Sequence, residues 1–143
     1  VDDLGLEETS IEVDRTFIKI DERMQTSVPG VYAIGDVTGK LLLAHVAQAQ
    51  GIVAVETIAG MDSQALDYKK MPRATYCQPQ VASIGLTETQ AREAGHEVKT
   101  GRFPFVASGK AMGMGESDGL VKIVAGADGK PAGTEPFDAG GAA

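Results

Sequence analysis

Gly35-Asp36 closes the apolar run Val31-Tyr32-Ala33-Ile34 and opens onto the Gly-containing loop Val37-Thr38-Gly39. A carboxylate at such a strand end accepts hydrogen bonds from sugar-like hydroxyls, whereas it repels phosphates unless a helix N-terminus handles them. Gly35 lets the backbone come close to a ligand. A lone Gly-Asp is equally an ordinary turn, and its weight here comes from the residues C-terminal to it. The segment Leu41-Leu42-Leu43-Ala44-His45-Val46-Ala47-Gln48-Ala49-Gln50-Gly51 continues to Gly60 and predicts one helix with small side chains through its first half. Small side chains admit a flat ring or a second backbone at close range. The start of such a helix also offers backbone N–H groups and the positive end of a dipole.

Other reactive side chains are few. Cys77 is the sole cysteine of 143 residues, so no internal disulfide forms, and in Tyr76-Cys77-Gln78-Pro79 it is read as a packed thiol. His45 stands at the helix start, where backbone groups matter most, and His96 lies in the polar stretch Glu93-Ala94-Gly95-His96-Glu97 as an expected surface residue. A net charge of −7 argues against a nucleic-acid-binding face. The apolar run 41–59 is interrupted by His45, Gln48, Gln50 and Glu56, which makes it a buried helix of a soluble protein rather than a membrane span. Abundant glycine, 18 residues, with few aromatics fits an α/β protein rich in tight turns.

The stretch Thr26-Ser27-Val28-Pro29-Gly30-Val31-Tyr32-Ala33-Ile34-Gly35-Asp36 resembles the second flavin-binding motif of the pyridine nucleotide-disulfide oxidoreductases. The resemblance implies that Asp36 hydrogen-bonds the ribityl chain of FAD. It also implies that the backbone at Leu42, Leu43, Ala44 and His45 faces the O2 edge of the flavin, with Gly35 beside the cofactor. The Leu-Ala-His start of the helix is similar to the dihydrolipoamide dehydrogenase branch, since glutathione reductases usually show Thr-Pro in place of Ala44-His45. Mercuric and glutathione reductases are the alternatives within the family, and a non-catalytic interaction module is the alternative outside it. The segment 71–88, with Tyr76, Pro79, Val81-Ala82, Gly85 and Thr87-Glu88, is similar to the start of the family's dimerisation domain.

These likenesses imply a fold of α/β and α+β character. Residues 1–67 are expected to be the closing part of a Rossmann-like FAD-binding domain. Residues 68–130 are expected to begin a dimerisation domain, an incomplete antiparallel sheet flanked by helices, and 131–143 a disordered tail. The family's Gly-x-Gly-x-x-Gly fingerprint, Cys-x4-Cys disulfide and His-Pro…Glu pair do not occur in the sequence. The chain is therefore expected to be a partial one, without catalytic residues and inactive by itself. By the same resemblance, NAD is a cofactor of the longer parent. The parent is a homodimer joined through residues 71–124, 2-oxo acid dehydrogenase complex components are candidate partners, and the compartment is the cytoplasm or the mitochondrial matrix.

The elements that position these residues are read from patterning. Ile11-x-Val13 and Phe17-Ile18-x-Ile20 predict a hairpin with Asp14-Arg15 at its turn. In the helix from Ala44, Ile52, Val55 and Ile58 lie along one side and Val46, Ala49 and Val53 along another, which predicts burial on both. Val81 to Ile84 reads as a strand, Thr87-Glu88-Thr89-Gln90 as a capping box opening a helix to about Ala94, and 98–105 and 119–124 as further strands. Pro131, Pro136 and the Gly/Ala run after them predict no strand beyond Val124.

Overall fold

Backbone pairing divides the chain into two compact units, Val1–Tyr68 and Lys69–Ala143. The structure is a computed structural model describing residue 1, residues 4–127, residue 129 and the strand at 137–140. Asp2 and Asp3 of the acidic N-terminal loop and the tail residues 131–136 and 141–143 lie outside the described residues.

In the first unit, β1 (Val13–Asp14) and β2 (Phe17–Ile18) form the expected antiparallel hairpin. Asp14 pairs with Phe17 in the ladder, so the turn falls on Arg15-Thr16 and not on Asp14-Arg15, with Arg15 at φ 59°. A tight loop comes next, held by Asp21. Its carboxylate accepts from the N–H groups of Arg23 and Gln25 at 2.8 and 2.9 Å, which lets Met24 sit at φ 66° with its side chain buried.

The strand expected at Val31–Ile34 does not form. Gln25 and Tyr32 make one isolated bridge, and the Ala33 N–H reaches the Met24 carbonyl at 3.1 Å. A strand exists only through its partners. Among the described residues of this unit no second segment continues the ladder, so the chain passes directly into a 3-10 turn at Gly35–Thr38.

The long helix α1 (Ala44–Ile58) begins where the small-residue run predicts. It ends in a Schellman arrangement, with Gly60 N–H donating to Thr57 O and Met61 N–H to Glu56 O. Val53 and Ala54 pack with Met24, and Ile20, Tyr32 and Leu66 close around them. Burial on both sides of α1 is not observed: Ile52, Val55 and Ile58 are exposed. The helix is apolar around its circumference, but the described partners stand on the Val46–Val53–Ala54 side alone.

The second unit is a five-stranded antiparallel sheet in the order β3-β4-β7-β6-β5, formed by Arg73–Thr75, Val81–Ile84, Phe137–Gly140, Leu120–Gly126 and Val98–Pro104 respectively. The pairing of β7 corrects the expectation that the tail is wholly irregular. Both prolines precede the strand in sequence, so Phe137–Gly140 keeps every N–H it needs to bond β4 on one side and β6 on the other.

Helix α2 (Glu88–Glu93) opens with the predicted capping box. Thr87 Oγ1 accepts from Gln90 N–H at 3.3 Å, and Gln90 Oε1 accepts from Thr87 N–H at 3.1 Å. Ala91 of this helix and Val124 of β6 are both fully buried, with Leu86 and Val98 against them. Because side chains alternate along a strand, Ile123 next to Val124 faces the other way, and it is exposed together with Phe103, whose partner Val121 lies on the same face. Lys122 ion-pairs with Glu88 at 2.9 Å, and Arg92 meets the same carboxylate at 2.9 Å. These two cations hold the Glu88 carboxyl below its ordinary value, Lys122 having the larger effect. A short helix, α3 (Gly109–Met114), joins β5 to β6.

Cys77 is exposed, not packed. It lies in the turn between β3 and β4, where its Sγ–H donates to the Pro79 carbonyl at 2.9 Å and no apolar element covers it. His96 is exposed as expected, just beyond the end of α2.

Candidate functional site

The Gly35-Asp36 turn and the start of α1 are brought together by a buried polar side chain. Gln50, 1% exposed, lies near the middle of α1, and its amide meets the turn. Its Oε1 accepts the Gly35 N–H at 2.6 Å, while its Nε2 donates to Tyr68 Oη at 3.0 Å and, at a longer 3.4 Å, to Thr38 Oγ1. Thr38 Oγ1 in turn donates to the Gly35 carbonyl at 2.8 Å, so both backbone polar groups of Gly35 are satisfied from the loop and the helix. The Tyr68 hydroxyl completes the chain with a weak contact to Met24 Sδ at 4.0 Å. A flipped Gln50 amide would set NH2 against the Gly35 N–H, donor to donor, so the network admits one orientation.

Glycine is required at two points of this turn. Gly35 has φ +77°, and a Cβ there would touch Ala47 of α1 at 3.5 Å, so the backbone conformation and not the space is what excludes a larger residue. At Gly39 both matter, because φ is +62° and a Cβ would run into the ring of Phe17. The Gly39 N–H closes the turn on the Asp36 carbonyl at 3.0 Å.

The site residues expected from the sequence all lie along this turn and the head of α1. Gly35 is half-buried and Asp36 exposed. Leu42, Ala44 and His45 are exposed, and Leu43 is the half-buried N-cap residue of α1. No side chain caps the helix start and its first turn carries no acidic residue, so the positive end of the dipole is not offset there by an anion of the helix. Leu43 N–H donates to Leu41 O at 2.9 Å. The Gly35–Thr38 turn packs against α1, with Asp36 and the first residues of the helix exposed. A carboxylate exposed there can accept hydrogen bonds from hydroxyl groups.

The model of the family described as pyridine nucleotide-disulphide oxidoreductase matches residues 1–51, and that of its dimerisation domain matches residues 71–133. The chain belongs to this family. It is 58% identical over 132 residues to the dihydrolipoyl dehydrogenase of Corynebacterium glutamicum, a match covering 90% of this chain and 28% of the relative. The Mycobacterium leprae and Bacillus subtilis dihydrolipoyl dehydrogenases are 57% and 50% identical, over 87% and 90% of this chain and 27% of each relative. The chain thus spans less than a third of the length of the curated relatives it matches.

Among solved structures, LpdA from Mycobacterium tuberculosis superposes with a TM-score of 0.78 at 24% identity, over 97% of this chain and 30% of its own. The Escherichia coli flavoprotein disulfide reductase RclA, in a Cu(II) complex, gives 0.76 at 26% identity, over 86% of this chain and 29% of its own. The mixed α/β and antiparallel architecture is that of the family.

Sequence reasoning singles out the surface of this site and misses its support. Gln50, Thr38 and Tyr68 do not stand out as positioning groups in the linear motif. A signal for Gln50 is nonetheless present: it falls on the stripe Val46, Gln50, Val53, Ala54, a single helix face whose other members are buried apolar residues. A polar residue on such a face must find partners.

Proposed function

We infer that the chain supplies flavin contacts and a subunit interface to a dihydrolipoamide dehydrogenase, which oxidises dihydrolipoamide and reduces NAD+. The observation that carries this reading is the 58% identity to the Corynebacterium glutamicum enzyme over 132 residues, a stretch that includes a turn and helix start suited to FAD. Residues 1–67 then belong to the FAD-binding domain and 68–130 to the interface domain. When bound, FAD supplies the two-electron carrier between the dithiol and NAD+.

The roles left to this chain are binding and orientation. Asp36 accepts hydrogen bonds from the ribityl hydroxyls, and Gly35 keeps the turn backbone beside them. Leu42, Ala44 and His45 offer backbone at the head of α1 toward the flavin O2 edge, where the positive end of the dipole favours electron density. Leu43, its N–H already engaged, sets the approach of the chain instead. A helix end contributes about 0.3–2 kcal/mol per partner charge, so it tunes the flavin and does not supply the chemistry. The exposed Phe103 and Ile123, on one face of the sheet, support a homodimer formed through residues 71–124. Components of a 2-oxo acid dehydrogenase complex are the further partners this reading implies.

The test is a titration of the 143-residue chain with FAD, followed by flavin fluorescence polarisation. Saturable binding is expected, weakened about tenfold in Asp36→Ala by loss of a charged hydrogen-bond acceptor. Absence of saturation, or equal binding by the variant, sinks the assignment of these residues to the flavin.

A further inference from the structure

We propose that Gln50 is a positioning residue of the flavin site, its buried amide fixing the Gly35-Asp36 turn against α1. The proposal rests on the reading of this surface as a flavin site. Asp36 can serve a ligand only if the peptide before it is fixed, and that peptide is exposed to water on the Asp36 side. Gly35, free of a side chain, has by itself little to fix its φ and ψ.

The structure supplies the restraint from the helix. Oε1 of Gln50 takes the Gly35 N–H at 2.6 Å, and Thr38 Oγ1, which the same amide contacts, takes its proton to the Gly35 carbonyl. Gln50 is anchored in turn by Tyr68 Oη, and its backbone is held by α1. The side chain therefore ties the Asp36 turn to the same helix whose first residues face the ligand. Carboxylate and helix start keep one spacing, although Gln50 itself, at 1% exposure, touches no ligand.

Leucine at position 50 matches the volume and removes the bonds to Gly35, Thr38 and Tyr68, leaving the part-buried Gly35 N–H without its acceptor. Glutamate keeps an acceptor oxygen for the Gly35 N–H and accepts from the Tyr68 hydroxyl. Three variants of the full chain, Gln50→Leu, Gln50→Glu and Asp36→Ala, are compared by two readouts: NMR hydrogen exchange of the Gly35 amide, and FAD titration by fluorescence polarisation.

Gln50→Leu is expected to speed Gly35 exchange and weaken FAD about tenfold, and Gln50→Glu to restore both. Asp36→Ala is expected to weaken FAD while leaving Gly35 exchange unchanged, a separation that a merely structural role for Gln50 does not produce. If Gln50→Leu does not fold, Thr38→Val carries the test, since it removes the second restraint on Gly35. It should move both readouts in the same direction by a smaller factor.

FAD affinity unchanged in Gln50→Leu, or Gln50→Glu behaving as the leucine variant, overturns the proposal. So does a folded Thr38→Val that alters neither readout. A wild-type chain that takes no FAD while Gln50→Leu still speeds Gly35 exchange overturns the flavin reading, and leaves Gln50 a support of the fold alone.

Discussion

Val1–Tyr68 and Lys69–Ala143 reach order by different means. In the first unit the described strands are two residues long, and the loops are fixed by individual side chains: Asp21 under the Met24 loop, Thr26 in the next turn, Ser27 on Ser10 and Glu12, Gln50 and Thr38 at Gly35. In the second, the framework is a five-stranded backbone ladder, and β5 and β6 alone pair over seven residues from Val98↔Gly126 to Pro104↔Leu120. A ladder spreads its hydrogen bonds over many residues, whereas a side-chain clamp concentrates them in one. The candidate site sits in the clamped unit. Its geometry is therefore specified by a few replaceable side chains, and the open sheet face by a register that no single side chain sets.

The contrast predicts that the most costly single change lies at a loop glycine and not in the sheet core. Gly39→Ala forces a side chain into a φ of +62° and into the Phe17 ring at once, so the first unit should lose about 3 kcal/mol. The loss is read as a lower urea midpoint, with faster hydrogen exchange confined to residues 13–18 and 35–39. Val124→Ala removes two buried methyl groups from the contact with Ala91 and should cost the second unit about 2 kcal/mol, with an unchanged urea slope because the ladder persists. A greater loss from Val124→Ala than from Gly39→Ala would mean that core packing, and not loop geometry, is the more sensitive determinant in this chain.

Local signals in the sequence locate those elements whose structure is self-contained. The Thr87–Gln90 capping box makes both of its hydrogen bonds and α1 begins at Ala44, because each depends on neighbours within a few residues. Elements that depend on distant partners are not legible in the same way. Val31–Ile34 has strand composition but lacks a described partner to extend its single bridge, and Phe137–Gly140 becomes a strand because β4 and β6 leave a gap for it.

The same division runs through the candidate site. Asp36 and the Ala44-His45 helix start are visible as a linear motif. Gln50 acts across 15 positions of sequence on Gly35, and its role emerges only when α1 is laid against the turn. Ile52, Val55 and Ile58 have the composition of a buried face, yet composition does not say whether a partner stands opposite.

The smallest effect should come from Glu88, where the sheet unit does use a side-chain contact. Lys122, from β6, and Arg92, one turn along α2, share its carboxylate, and the hydrogen bond from Lys122 is the main reason its proton is held less tightly than in an ordinary carboxyl. A carboxyl whose folded value is depressed stabilises the fold fully above its unfolded value, about 4.3, and that contribution is lost as pH falls through the lower folded value. Glu88→Gln should therefore melt at slightly lower temperature than the wild type at neutral pH, with the two curves converging in acid below about pH 4. The pair is partly open to water, so added salt should narrow the neutral-pH gap as well. A gap that persists unchanged into acid would assign the effect to packing of the Glu88 stem against β6. At that contact α2 would then be held to the sheet by shape, in contrast to the turns of the first unit that single side chains clamp.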